Sequence, residues 1–161
     1  MKDDKTLVRR QPCRSSLMKR LNCIRIPRSA APARILWSTS SAPATNHDAV
    51  EDAALERRLV PGGTNVRVTT LEAGVEVGLH RSSTIDYVII TQGEVVLLTP
   101  TRGPDGNEVL EETLCRTGDV VIQRGTMHGW RAGQDGVRWI AVVIDALPAR
   151  VGATELLPVG L

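Results

Sequence analysis

Two stretches decide the fold: GVEVGLHRSSTIDYVIITQG at residues 74–93 and GDVVIQRGTMHGW at residues 118–130. Both are rich in Val and Ile, whose branched side chains favour strands, and both carry glycines typical of turns. In an extended chain, His80 and Asp86 share one face because alternate side chains point the same way. If the two stretches close into one small barrel, His80, Asp86 and His128 meet inside it.

This predicted cluster has the composition of a metal site. Two imidazoles and one carboxylate can hold a divalent metal while leaving coordination positions open for water or substrate. We therefore predict His80, Asp86 and His128 as catalytic residues and as ligands of Fe(II), Zn or Mn. The alternative is a metal-free polar pocket in which the three side chains hydrogen-bond one another. A third possibility places Asp86 on the outside of the barrel as a turn residue.

Short strand patterns separated by turn signals continue along most of the chain. The predicted strands cover residues 35–38, 65–71, 76–80, 86–91, 94–99, 108–115, 119–123, 128–131 and 138–144. The last of them is almost continuously apolar, which predicts burial on both faces. A helical turn or two is predicted at 48–59. This pattern predicts an all-β sandwich or barrel over residues 34–145, followed by a loosely packed C-terminal tail at 146–161.

The two opening stretches resemble the paired motifs of the cupin family. The matching residues are Gly74, His80, Asp86 and Gly93 in the first motif and Gly118, Gly125 and His128 in the second. The chain departs from the motifs at Ser82 (usually a second histidine), Asp86 (usually a glutamate), Gln123 (usually a proline) and Ala132 (often an asparagine). The motifs are most similar to single-domain cupins common in fungi and bacteria, some of which are assigned to secondary-metabolite pathways.

The resemblance implies one cupin-type double-stranded β-helix, or jelly-roll, barrel that forms a homodimer and acts on a small molecule. It favours a metal-assisted oxidoreductase acting on an oxygenated, polyketide-like intermediate of secondary-metabolite biosynthesis. One alternative is a metal-free decarboxylase, dehydratase or isomerase that uses His and Asp as acid and base. Another is a non-catalytic small-molecule-binding cupin, favoured by the serine at position 82.

Three further residues are predicted to contact the substrate. Ser82 lies on the same strand face as His80 and Asp86, and Trp130 shares a face with His128 and would form a pocket wall. Arg124 could bind a substrate carboxylate, with a solvated turn arginine as the alternative.

Composition excludes several other classes of protein. The chain has 161 residues, of which 42% are hydrophobic and 24% charged, as expected for one globular domain. No apolar run approaches the roughly 18 residues of a membrane-spanning helix. Neither a phosphate-binding GxxxxGK[ST] nor a GxGxxG fingerprint occurs, so no nucleotide cofactor is expected. Cys13, Cys23 and Cys115 give no disulfide framework, which favours a reducing, cytoplasmic location.

The N-terminal region differs from the rest of the chain in charge. Residues 1–36 hold ten Lys or Arg against Asp3 and Asp4, a charge of +8, whereas residues 37–161 carry −6. We predict that residues 1–33 are a disordered basic tail or an extension that was added by an uncertain assignment of the gene's start. A mitochondrial presequence is an alternative that the two acids oppose; a short amphipathic helix over 17–24 is compatible with it. No nucleic acid partner is expected, because no aromatic residues interleave the basic ones.

Overall fold

The computed structural model describes residues 10–12, 22–24, 33–44 and 61–160, and the chain divides into two units, 1–30 and 31–161. In the first unit, β1 (Arg10–Pro12) pairs antiparallel with β2 (Asn22–Ile24). The possible helix over 17–24 is therefore wrong at its C-terminal end, where the backbone is a strand. Its earlier residues and the helical turn at 48–59 lie outside the described residues.

The second unit is built from strands, and no helix occurs among the described residues. Its strands are β3 (Ala33–Thr39), β4 (Thr64–Leu71), β5 (Glu76–His80), β6 (Thr84–Arg102), β7 (Glu108–Arg116), β8 (Val120–Arg124), β9 (His128–Asp145), β10 (Ala149–Val151) and β11 (Thr154–Leu156). Strands β3 to β9 form one antiparallel sheet in the order β3-β4-β9-β6-β7, with β5 paired to β9 and β8 paired to β6. The predicted all-β fold is confirmed.

Two long strands turn this sheet into a barrel. The first half of β6 pairs with β8 and with the second half of β9, while Val95–Leu98 pair with the first half of β9 and residues 94–102 with β7. Because β6 and β9 pair twice, the sheet folds back on itself as a double-stranded β-helix. Cys115, Trp130, Ala132 and Trp139 lie in the apolar core between its walls.

The sequence pattern divides each long strand into two, with a turn at Gln92-Gly93 in one and at residues 132–136 in the other. The structure keeps them continuous and places a register shift at these points instead. Gly93 has φ +72°, and a Cβ there would lie 2.1 Å from the carbonyl oxygen of Gly136. The glycine signal therefore marks a bend and a close backbone approach rather than the end of a strand.

Two other details of the prediction need correction. In β9, Trp139, Ala141 and Val143 are buried while the alternate residues are half-buried, so only one face of the strand is fully covered. The C-terminal segment is more regular than a loose tail, because β10 and β11 form a hairpin and Arg81 pairs with Val159 in an isolated bridge. No helix in the described part of the chain is long and apolar enough to cross a membrane.

Candidate functional site

Strand pairing brings the two predicted histidines into contact. His80 ends β5 and His128 begins β9, and the two residues are direct partners in the antiparallel ladder. Their ring centroids are 4.3 Å apart, with the planes tilted by 56°. Next to them, Gly129 allows β5 to approach closely, because a Cβ there would lie 2.9 Å from the carbonyl oxygen of Val77.

Backbone carbonyls set the tautomer of both rings. Nδ1 of His80 lies 2.9 Å from the carbonyl oxygen of Gly78, and Nδ1 of His128 lies 2.9 Å from that of Thr126. A carbonyl oxygen can only accept a hydrogen bond, so each Nδ1 carries a proton and donates it. In the neutral ring this leaves a lone pair on each Nε2, which is the atom available to bind a proton or a ligand.

His128 is buried, with 4% of its surface exposed. Burial is the largest influence on its pKa and lowers it below the ordinary value of 6.5. The hydrogen bond to Thr126 and the charge of Asp86 oppose this change, whereas His80 and Arg67 add to it. His128 is therefore a neutral imidazole near pH 7, the state in which Nε2 can accept a proton.

Asp86 lies inside the barrel and is 5% exposed, so its placement as an external turn residue is wrong. Its neighbour Tyr87 has the opposite orientation and is 38% exposed. One carboxylate oxygen, Oδ2, is 3.7 Å from Nη2 of Arg67. The other, Oδ1, is buried and has no hydrogen-bond partner among the described residues.

Arg67 is a site residue that the sequence pattern does not predict. It lies on β4, where the sequence Asn65-Val66-Arg67-Val68 suggests that the valines face the core and the polar residues face solvent. The structure buries Asn65 as well as Val68, although their opposite parity places them on opposite faces of β4, so both faces of the strand are covered at these positions. Alternation along the strand therefore could not reveal the inward orientation of Arg67.

The predicted substrate-binding residues occupy different environments. Trp130 is buried, with its ring centroid 5.7 Å from that of His128 and 5.3 Å from that of Trp139. The Oγ of Ser82 lies 2.6 Å from Oγ1 of Thr84. Arg124 is exposed on β8. The roles of Ser82, Trp130 and Arg124 stay predictions.

Gln123, the residue before Arg124, is on the inner face of the barrel. It is buried, is the ladder partner of Asp86, and accepts a hydrogen bond from the hydroxyl of Thr126. The sequence signal that could have found it is its position in the second motif, where a glutamine replaces the usual proline.

The histidines of the site are suitable ligands for a metal ion, but Asp86 is not. The two Nε2 atoms are suitable ligands, and histidines that bind metals commonly donate their other N–H to a carbonyl, as both do here. Asp86 instead lies beside a guanidinium, whose fixed charge opposes a neighbouring cation. Within residues 33–44 and 61–160, no three His, Cys, Asp or Glu side chains are grouped as a metal ion requires. The three-ligand site stays a prediction, and we derive no step through a metal.

Several proteins are similar to this chain in sequence, although no family model matches it. Oryzines biosynthesis cluster protein J of Aspergillus oryzae is 34% identical over 100 residues, which cover 61% of this chain and 51% of that protein. Cupin-domain-containing oxidoreductase srdB of Neurospora crassa is 31% identical over 132 residues, covering 79% and 63%. Cupin-domain-containing oxidoreductase fogC of Aspergillus ruber is 32% identical over 108 residues, covering 62% and 47%. The chain thus spans about half to two thirds of these relatives.

Solved structures resemble part of the chain at low sequence identity. A Klebsiella pneumoniae protein with a double-stranded β-helix domain aligns at 22% identity with a TM-score of 0.41, covering 52% of this chain and 68% of that one. The fold of the present chain is established by its own strand pairing.

Proposed function

We propose, from the premise that this chain belongs to the cupin family, that it is an enzyme of secondary-metabolite biosynthesis that catalyses proton transfer on a small oxygenated molecule. The observation that carries this proposal is the pair of histidines in ring contact, each with Nδ1 bonded to a backbone carbonyl and a lone pair on Nε2. The names of the relatives support a role in secondary-metabolite biosynthesis, since one is named a biosynthesis cluster protein and others are named cupin-domain-containing oxidoreductases.

His128 acts as the general base. Its Nε2 takes a proton from a carbon next to a carbonyl group of the substrate, and the resulting imidazolium returns the proton to the neighbouring carbon or oxygen. The carbonyl of Thr126 holds the ring in place, and the nearby charge of Asp86 stabilises the imidazolium. The substrate would lie against Trp130, whose ring meets that of His128 edge-on. Isomerisation and dehydration both proceed by such transfers.

Deuterium incorporation from solvent tests this mechanism without knowledge of the substrate. Hydroxyacetone, an α-hydroxyketone, is incubated with the protein in D₂O, and loss of its C–H signals is followed by NMR. We expect exchange with the wild-type protein and a loss of about 10²- to 10⁴-fold in His128→Gln, the usual contribution of a general base. Tyr87→Phe, on the exposed face of β6, is the matched control and should exchange at the wild-type rate.

A second candidate is a metal-assisted oxidoreductase, favoured by the printed names of the relatives and by the two available Nε2 atoms. His80 and His128 would hold Fe(II), Zn or Mn. Repeating the exchange after dialysis against a chelator separates the two candidates. Retention of exchange supports the proton-transfer enzyme, whereas loss that is reversed by one of these metals supports the second candidate. Absence of exchange both before and after dialysis would support the non-catalytic alternative, a cupin that only binds a small molecule.

A further inference from the structure

The last described segment of the chain lies next to both motifs. Residues 146–160, here called the C-terminal strap, follow β9 and contain the β10–β11 hairpin. At the start of the strap, the N–H of Ala146 donates a hydrogen bond of 3.1 Å to the carbonyl of Ser83. Further along, Ala149 lies against Gly125, where a Cβ would be 3.0 Å from the Cβ of Ala149. The strap therefore begins beside the turn that leads to the proposed base.

The end of the strap is fastened to the residue that follows His80. Arg81 and Val159 form an antiparallel bridge in which each N–H donates to the other's carbonyl oxygen at 2.9 Å. The arginine side chain adds a third bond, 3.1 Å long, from its Nε to the carbonyl oxygen of Leu157. A Cβ on Gly160 would lie 3.3 Å from the Cβ of His80. The strap therefore ends directly against the end of β5.

Hydrogen bonds, rather than apolar burial, hold this part of the strap in place. Its large apolar side chains are between 46% and 92% exposed, namely Leu147, Val151, Leu157 and Val159. Segments with few buried apolar contacts open locally at a low cost in free energy, without unfolding of the rest of the protein. The three hydrogen bonds at Arg81 therefore have a large influence on whether the strap stays on β5.

We propose that Arg81 is a positioning residue that latches the C-terminal strap onto β5 and thereby holds His80 against His128. The pairing of β5 with β9 is interrupted between Val77 and His80, so the ladder with β9 fixes this end of β5 only weakly. The bridge to Val159 supports the same end from the strap. This inference rests on the proposed function, because it explains how the two rings of that site are kept in contact.

Two substitutions at Arg81 separate the hydrogen bond from the rest of the side chain. In Arg81→Gln, the amide nitrogen lies as many bonds from Cα as the arginine Nε does, so it can still donate to Leu157. In Arg81→Met, a methyl group takes that position and donates nothing. Amide hydrogen exchange of Val159, measured by NMR, should be about two- to tenfold faster in Arg81→Met, the change expected for one lost hydrogen bond. Arg81→Gln should exchange at nearly the wild-type rate.

Arg102→Met is the matched control for this measurement. It also removes a hydrogen bond from a guanidinium to a backbone carbonyl, that of Gly106, but in the turn between β6 and β7. Exchange of Val159 should be unchanged in this variant. Wild-type exchange of Val159 in Arg81→Met as well would overturn the latch.

The contact between the rings tests whether the latch positions His80. The ring centroids of His80 and His128 are 4.3 Å apart, so a nuclear Overhauser effect between their ring protons is expected in the wild type. It should weaken in Arg81→Met and recover in Arg81→Gln. Faster exchange of Val159 with an undiminished Overhauser effect would show that the strap is only structural, and the positioning role would be wrong.

A pair of glycine substitutions tests the same latch from the strap. Gly160 and Gly152 both have positive φ, +73° and +60°, so alanine carries a similar backbone penalty at each. Only at residue 160 would the Cβ meet the backbone, 2.9 Å from the carbonyl oxygen of Leu79; none lies within 4 Å at residue 152. Gly160→Ala alone should speed the exchange of Val159 and weaken the Overhauser effect. Equal behaviour of the two variants would contradict the proposal.

The catalytic consequence is measured separately. A displaced His80 no longer lines the site beside His128, so exchange of hydroxyacetone should slow in Arg81→Met and return in Arg81→Gln. The amide exchange and ring contact need no turnover. A wild-type protein that fails to exchange hydroxyacetone would therefore contradict the proton-transfer mechanism, whereas the NMR measurements alone decide the latch.

Discussion

His128 owes its chemistry to burial rather than to its position in a motif. The same ring in solvent would be partly protonated near pH 6.5, whereas inside the barrel the loss of water lowers its pKa and keeps it neutral. His80, half-buried on the facing strand, contributes a second ring at 4.3 Å. The pair combines one shielded imidazole with one that solvent can reach.

The lowered pKa of His128 predicts how stability depends on pH. Between the pKa of folded His128 and the unfolded value of 6.5, the unfolded chain binds more protons, so stability rises with pH across this interval and is lost as the pH falls below 6.5. We expect the thermal unfolding midpoint at pH 5.5 to lie below that at pH 7.5. His128→Asn should reduce this difference, and a variant with the full wild-type difference would contradict the assignment to His128.

Strand β6 depends on a glycine at its bend. Gly93 has φ +72° and faces the backbone of Gly136 so closely that a Cβ would overlap its carbonyl oxygen. The bend lets one half of β6 pair with β8 and the other with β7. Without it, the two sides of the barrel could not share this strand, and the histidines on β5 and β9 would lose the wall opposite them.

The matched pair Gly93→Ala and Gly106→Ala tests this role by urea unfolding. Gly106 has φ +80° and no atom lies within 4 Å of the position that a Cβ would take, so its substitution should cost only the left-handed backbone penalty, about 1–2 kcal/mol. Gly93→Ala should cost about 2 kcal/mol more, because the overlap with Gly136 forces the strands apart. Equal losses in the two variants would show that the close approach does not matter.

The topology of the barrel unit predicts slow folding. The pairing of β6 with β9 joins residues about sixty positions apart, such as Thr84 and Asp145, and long loops must close before these contacts form. We expect refolding in milliseconds to seconds, followed by the fluorescence of Trp130 and Trp139 in the core. Refolding within microseconds would contradict this prediction.

The homodimer implied by the family resemblance stays a prediction. Light scattering on the purified protein should give about twice the chain mass of 17.5 kDa. The chain mass alone at micromolar concentration would show a monomer. The domain boundaries at residues 33 and 145 likewise stay a prediction, although the barrel strands begin at Ala33.

Local sequence was enough to predict the all-β fold, and the resemblance to the paired cupin motifs was needed as well to predict that His80 meets His128. Alternation of side chains, β-branched residues and glycine spacing act between near neighbours, so they can be read along the chain. The inward orientation of Asp86 also followed from its parity with His80. The glycines at residue 93 and within 132–136 correctly marked changes of backbone direction, but they were interpreted as strand ends. A turn between strands and a bend within a strand both require the backbone freedom of glycine, so the sequence does not distinguish them.

Only the tertiary structure decided which side chains lie opposite the residues of the site. Arg67 lies inside because its ladder partner on β9 is the buried Ala141, and this register joins segments far apart in sequence. Gln123 lies opposite Asp86 for the same reason, through the ladder of β8 with β6. Which polar group meets which depends on register across strands, a property of the whole sheet that short-range patterns do not encode. The pair His80 and His128 could therefore be predicted from the sequence and its motifs, whereas the position of Arg67 beside Asp86 could be learned only from the tertiary structure.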